Sequence, residues 1–154
     1  MASDFSRIDE FVIAGALPGA RGGGASWREL ETLGVSVLFS LVPRAIEGQP
    51  GTLHREIHAL VDVVEPGTSG ADIHYLERVV QRLNALRAAK RVTYVHCVSG
   101  VSRTGLVLAA WKMKHAGLGR DAALAWLRER RPTLAPNAAF MALLLEWERA
   151  LRLG

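Results

Sequence analysis

Val92-Thr-Tyr-Val-His96-Cys97-Val-Ser-Gly-Val-Ser-Arg103-Thr104-Gly105 is the stretch from which the rest of the chain is read. Residues 92–95 are apolar and mostly β-branched or aromatic, the composition of a buried strand. They run into a His-Cys pair, then five small residues, an arginine and a hydroxyl residue. Behind these, Leu106, Val107, Leu108, Ala109 and Trp111 predict a strongly apolar helix over 104–114, buried in the middle of the domain. A strand, a tight loop and a helix start are thus joined in one unit.

Upstream, Ile73, Leu76, Val79, Val80, Leu83 and Leu86 recur at the helical period, with Glu77, Arg78, Gln81 and Arg82 outside. Ser69 or Asp72 caps this helix, and Lys90-Arg91 closes it where cations suit the C-terminus. Residues 53–61 read as a strand that leaves into a loop from Asp62 to Gly70. Residues 35–42 are a near-continuous apolar run ended by Pro43, as in a strand covered on both faces. Ser26 and Glu29 form a capping box for a short helix that Gly34 stops near Leu33. Residues 11–14 predict a first strand at a sheet edge. The glycine-rich residues 18–25 match neither dinucleotide nor nucleotide spacing and read as a flexible surface loop.

Downstream, Gly117 and Gly119 break the chain, a helix over 121–131 stops at Pro132, and Asn137 caps a last helix. Its inner stripe is Phe140, Leu143, Leu144, Trp147 and Leu151. Strands alternating with helices imply an α/β fold: a mostly parallel twisted sheet of about four to five strands with helices on both faces.

The chain has 154 residues, 49% hydrophobic and 22% charged, which predicts one soluble domain over 1–154. Its net charge of +4 reads first as an arginine-rich surface, and no basic run points to nucleic acid. One cysteine excludes an intramolecular disulfide and suits a reducing compartment, with the cytoplasm as the expectation. No apolar run reaches the roughly 18 residues of a membrane span. Ala14-Gly-Ala16 looks like a processing site, but Asp4, Asp9 and Glu10 stand where a signal peptide needs cations. His54 and His58 share a face without a third ligand nearby, so no metal site is expected.

The chemistry concentrates at residues 96–104. A free cysteine is only about 3% thiolate at pH 7. Here a helix N-terminus favours an anion, and the backbone amides of Val98, Ser99, Gly100, Val101 and Ser102 can converge on one point. Such a nest binds phosphate beside a thiolate. Five residues between Cys97 and Arg103 let the chain wrap a tetrahedral anion, so that the guanidinium forks onto two of its oxygens. Thr104 is placed to donate its hydroxyl to Cys97, and His96 to position the cysteine through ring and backbone. Phosphoryl transfer to sulfur needs an acid for the leaving oxygen. Asp62 follows the C-terminal end of another strand, where ligands of such sheets bind, and is the first choice, with Glu65 second.

His96-Cys97-x5-Arg103-Thr104 resembles the signature of the cysteine-dependent protein phosphatases, and the small-residue loop with Ser102 before Arg103 resembles their dual-specificity branch. Phe5-Ser, Ala14-Gly15, Leu33-Gly34-Val35 and Ser40-Leu41 are similar to the N-terminal half of small atypical dual-specificity phosphatases. Asp62 with Pro66 resembles their general-acid loop, and Arg131-Pro132, Pro136-Asn137 and Phe140 their C-terminal helix pair. The resemblance implies the dual-specificity and tyrosine phosphatase fold, no metal or other cofactor, and Asn137 as a buttress of the phosphate loop. It implies a protein phosphatase acting on phosphotyrosine, and on phosphoserine or phosphothreonine through a shallow cleft, with a phosphocysteine intermediate. The partner is then a phosphorylated protein or peptide, with no nucleic acid or membrane.

Three departures bear on this. The loop lacks the lysines of the related phosphoinositide phosphatases, no added segment builds a deep phosphotyrosine pocket, and no water-holding glutamine is evident after Phe140. Two alternatives stand beside the first reading. One is a phosphatase of non-protein phosphates (an RNA 5′ end, an inositol phosphate or a phosphoinositide). The other is a phosphoprotein-binding module with little turnover, against which the complete Cys, Arg, Thr and candidate acid argue.

Overall fold

The computed structural model describes residues 2–62 and 71–153. Glu65, Pro66 and Ser69 lie outside the described residues. Five strands form one sheet in the order β1 (Phe5–Arg7), β2 (Val12–Gly15), β5 (Val92–His96), β3 (Val35–Ser40) and β4 (His54–Ile57). The β1–β2 pair is antiparallel and every other pair is parallel. The parallel strands therefore end on one edge, with Gly15, Ser40 and His96 in register there.

The two faces of the sheet are covered unequally. Val12, Ala14, Val37, Phe39 and Val95 join the larger core with α2 (Ile73–Ala88), α3 (Arg103–Ala116), α4 (Arg120–Arg130) and α5 (Ala138–Leu153). Ile13, Leu38 and Tyr94 alternate to the other face, where Ala25 and the single short helix α1 (Trp27–Thr32) cover them through Leu30 and Trp27. This alternation is the period-2 side-chain geometry of a strand. Helix α3 is apolar around its circumference because other helices and the sheet surround it. Leu106, Val107, Leu108, Ala109, Ala110 and Trp111 are all fully buried.

Local signals hold at the caps. Ser26 and Glu29 form the expected box, Asp72 accepts from the Tyr75 amide at 2.8 Å, and Asn137 Oδ1 accepts from the Phe140 amide at 2.9 Å. Helix bounds shift by one or two residues, within ordinary fraying.

Three expectations need correction. The strand near residue 12 is not at the edge, because β1 pairs outside it. Phe5-Ser-Arg7 is short and only partly buried, so it carries no apolar run to reveal it. The strand of residues 53–61 shortens to β4, because the chain leaves the ladder after Ile57. The glycine-rich loop is tied down rather than loose: Asp4 N donates to Gly23 O at 2.8 Å and Gly24 N to Leu17 O at 2.9 Å.

Candidate active site

Cys97 follows β5, the central strand, and is buried with 2% of its surface exposed. Two donors meet its sulfur: Thr104 Oγ1 at 3.2 Å and the Gly100 amide at 3.3 Å. Thr104 sits in the first turn of α3, so the dipole of a fourteen-residue helix points at the same place. All three turn the positive end of a dipole toward the sulfur.

The loop between Cys97 and Arg103 is held from outside, one carbonyl at a time. Cys97 O accepts from His96 Nδ1 at 2.9 Å and Val98 O from Leu17 N at 2.9 Å. Arg131 Nη2 donates to Ser99 O at 3.3 Å and Arg131 Nε to Gly100 O at 2.9 Å. Val101 O accepts from Ala135 N at 3.1 Å, and Ser102 O from Leu106 N at 3.0 Å. In a trans peptide unit the N–H lies opposite the C=O. Five successive carbonyls, 97–101, are thus turned to the surrounding protein, and the amides of residues 98–102 are turned to the interior of the loop. Amides converging inside a loop are the general geometry of an anion nest. Gly100 makes it possible with φ +72°, and a Cβ there would stand 2.5 Å from the Gly15 backbone.

Arg103 contributes a further donor. Its Nη1 reaches Leu60 O at 3.4 Å, while its Nε is buried and has no hydrogen-bond partner among the described residues. A buried guanidinium N–H without an acceptor is costly, so this donor is available to an incoming acceptor.

Asp62 is exposed and stands beside the loop. Its Oδ1 accepts from Ser102 Oγ at 3.1 Å and from Asn137 Nδ2 at 2.8 Å. The Asn137 amide in turn donates to Ser102 Oγ at 3.1 Å. Ser102, Asp62 and Asn137 therefore form one cluster, which joins the loop after β4, the loop of residues 98–102 and the start of α5. Pro136 packs 3.1 Å from where a Gly105 Cβ would be, which brings that start against the first turn of α3.

Two groups hold the site in roles that the sequence does not assign, although Arg131 and Ser40 stand in stretches that carry the resemblance. Arg131 is 1% exposed and bridges Ser99 and Gly100 to Asp4, whose Oδ1 lies 2.9 Å from its Nη1. Ser40 and Arg55 stand behind His96: Ser40 Oγ is 2.6 Å from His96 Nε2, and Arg55 Nε donates to Ser40 Oγ at 2.9 Å. Burial pushes His96 down to about 4, and the Arg55 charge adds to this, so the ring is neutral at pH 7. His54 and His58 do not join the site. They flank Glu56, which Arg82 holds at about 2, its Nε donating to both carboxylate oxygens at 2.9 and 3.0 Å and its Nη2 to Oε2.

The family model for the dual specificity phosphatase catalytic domain matches residues 50–150, which include the whole of this site except its N-terminal supports. The chain belongs to that family. Among curated proteins, human dual specificity protein phosphatase 8 is 33% identical over 79 residues, 51% of this chain and 13% of that protein. Drosophila melanogaster dual specificity protein phosphatase Mpk3 is 41% identical over 81 residues, 53% of this chain and 20% of that protein. The chain thus spans a minor part of the length of these relatives. Among solved structures, a mouse dual specificity phosphatase complexed with zinc tungstate superposes with TM-score 0.83 at 21% identity, covering 99% of this chain and 91% of that one. PTPMT1 in complex with PI(5)P superposes with TM-score 0.78 at 18% identity, covering 97% of each chain. The fold these two structures share with the chain is the mixed five-stranded α/β architecture described above.

Proposed function

We propose that this chain hydrolyses phosphomonoesters on proteins, phosphotyrosine foremost and phosphoserine or phosphothreonine as well, through a phosphocysteine intermediate. The observation that carries this reading is the run of five outward-bonded carbonyls, 97–101, which leaves inward amides between Cys97 and Arg103, whose Nε has no partner among the described residues. That is a cradle for a tetrahedral dianion with a nucleophile at its base.

In the first step the Cys97 thiolate forms a bond to phosphorus and the bond to the ester oxygen breaks. Arg103 and the loop amides hold the equatorial oxygens, whose charge grows in the transition state. Asp62, in its protonated form, gives its proton to the leaving oxygen. In the second step Asp62 takes a proton from water as the water oxygen attacks phosphorus. The P–S bond breaks, and the Thr104 hydroxyl stabilises the departing thiolate. Inorganic phosphate and the free cysteine remain. Ser102 and Asn137 keep the Asp62 carboxyl beside the cradle, and His96 keeps Cys97 in place. No step calls for a metal or other cofactor.

A substrate panel on the purified chain tests the reading. Phosphotyrosine, phosphoserine and phosphothreonine peptides are compared with a 5′-triphosphorylated RNA, an inositol phosphate and PI(5)P vesicles. The proposal expects turnover of the phosphotyrosine peptide above all non-protein substrates, unaffected by a chelator and blocked by vanadate or thiol alkylation. Preference for RNA or a phosphoinositide overturns the protein assignment. Binding of phosphopeptide without turnover overturns the enzyme.

A further inference from the structure

The chain of polar contacts behind Cys97 has one consistent sense. The Cys97 carbonyl only accepts, so His96 Nδ1, 2.9 Å away, carries a proton. A neutral imidazole then presents Nε2 as an acceptor, and the Ser40 hydroxyl donates to it across 2.6 Å. Having given its only proton, Ser40 Oγ accepts from Arg55 Nε at 2.9 Å. The opposite arrangement fails: a ring with its proton on Nε2 alone would leave two acceptors, Nδ1 and Cys97 O, facing each other. Arg55 also fixes the chain end that leaves β3, since its Nη2 donates to Val42 O at 3.1 Å and to Arg44 O at 2.8 Å. Ser40 and His96 are register partners on neighbouring strands, and both are fully buried.

We propose that Arg55, on the edge strand β4, is a positioning residue for the nucleophile. Acting through Ser40, it holds the His96 ring in the Nδ1–H tautomer that turns the Cys97 carbonyl outward and sets the first inward amide of the phosphate loop. Arg55 touches neither Cys97 nor the cradle, so its effect is on the geometry that precedes substrate binding. Four charged side chains bond at the loop or behind it: Arg103 to Leu60 O, Asp62 to Ser102, Arg131 to Gly100 O, and Arg55 to Ser40. Of these, Arg55 alone bonds to the relay. Low dielectric makes each link depend on the next, so the loss of the outermost donor is felt at the innermost acceptor. The inference rests on the reading of Cys97 as nucleophile, but its first readout does not.

The test combines nitrogen NMR of the His96 ring with steady-state kinetics on p-nitrophenyl phosphate, for wild type, Arg55→Met, Arg55→Lys and Ser40→Ala. The wild-type ring is expected as a single Nδ1–H tautomer. Arg55→Met and Ser40→Ala are expected to show mixed tautomers, with kcat lower by about tenfold, the worth of one ordinary hydrogen bond, and KM little changed. Arg55→Lys keeps the charge and a hydrogen-bonding ammonium and is expected to recover part of kcat. Ser40→Ala leaves the Arg55 contacts to residues 42 and 44 intact, so it reports on the relay even if Arg55→Met folds poorly. A ring spectrum unchanged in both Ser40→Ala and the folded Arg55 variants, with kcat within twofold of wild type, overturns the proposal. If neither the variants nor the wild-type protein hydrolyse p-nitrophenyl phosphate, the functional reading fails, while the resting ring spectrum still decides the relay.

Discussion

Replacing Arg131 with methionine is the sharpest structural perturbation this architecture offers. The guanidinium is 1% exposed and serves two different clients. Toward the site it donates to Ser99 O and Gly100 O. Toward the N-terminus it pairs with Asp4, whose side chain keeps 55% of its exposure. The two halves are unequal. Methionine fills most of the volume but leaves two carbonyls without donors, at roughly 1–3 kcal/mol each, or about 2–6 kcal/mol in all. The Asp4 carboxylate stays half in water, and its pairing is worth no more than about 1 kcal/mol. For a domain of this size, about 4 kcal/mol lowers Tm by roughly 10 °C. Arg131→Met is therefore expected to lose far more stability than Asp4→Asn, in urea unfolding followed by tryptophan fluorescence. It is also expected to lose turnover, because the amides that follow those two carbonyls are released. Equal losses in the two variants would show that the ion pair, not the carbonyl support, carries the effect. A loss under about 1 kcal/mol in Arg131→Met would refute the accounting of the loop outright.

Gly100→Ala forces a side chain into a left-handed backbone and against Gly15 at 2.5 Å and Arg131 Nη2 at 2.6 Å. It is expected to cost roughly 2–5 kcal/mol and nearly all turnover, read by calorimetry and initial rates; a well-folded, active variant would contradict the inward-amide geometry. Asp62→Asn is expected to slow hydrolysis by about 10²–10⁴ for alkyl phosphates and much less for aryl phosphates with good leaving groups. A uniform loss across leaving groups would remove Asp62 from the acid role. His96 is held at about 4 against an ordinary 6.5. The unfolded chain therefore binds the extra proton first as pH falls, and stability drops between pH 6.5 and 4. Its share is about 1.4 kcal/mol per pH unit and about 3 kcal/mol in total. Urea midpoints across that range should fall less steeply for His96→Gln than for wild type, and parallel curves would exclude His96 as the source.

What the sequence made legible was local. Ser26 and Glu29 cap a helix three residues apart, Cys97 and Thr104 share one loop and one helix turn, and Leu76, Val79 and Leu83 mark a helix face by spacing alone. These signals arise within a few residues and survive without knowledge of the fold. The supports of the site are of another kind. Arg131 meets Asp4 across 127 positions, and Arg55 meets Ser40 across a strand pair that only the sheet order brings together. Neither residue sits in a pattern that distinguishes a buried donor from a surface arginine, in a chain with nineteen lysines and arginines. Strand β1 was hidden for a similar reason, since two half-buried residues and an exposed arginine gain their place from pairing with β2 rather than from their own composition. Asn137 was legible as a helix cap, but its amide contact to Asp62 depends on where α5 docks.

The central claim is that phosphorus passes through the sulfur of Cys97. Rapid acid quench of the chain with an excess of phosphotyrosine peptide, followed by mass spectrometry of the fragment containing residues 92–103, reads that directly. The expected result is one phosphoryl group on Cys97, formed within the first turnover, more abundant in Thr104→Ala where the thiolate leaves slowly, and absent in Cys97→Ser. Full turnover with no phosphoryl group on Cys97, or undiminished hydrolysis by Cys97→Ser, would contradict it.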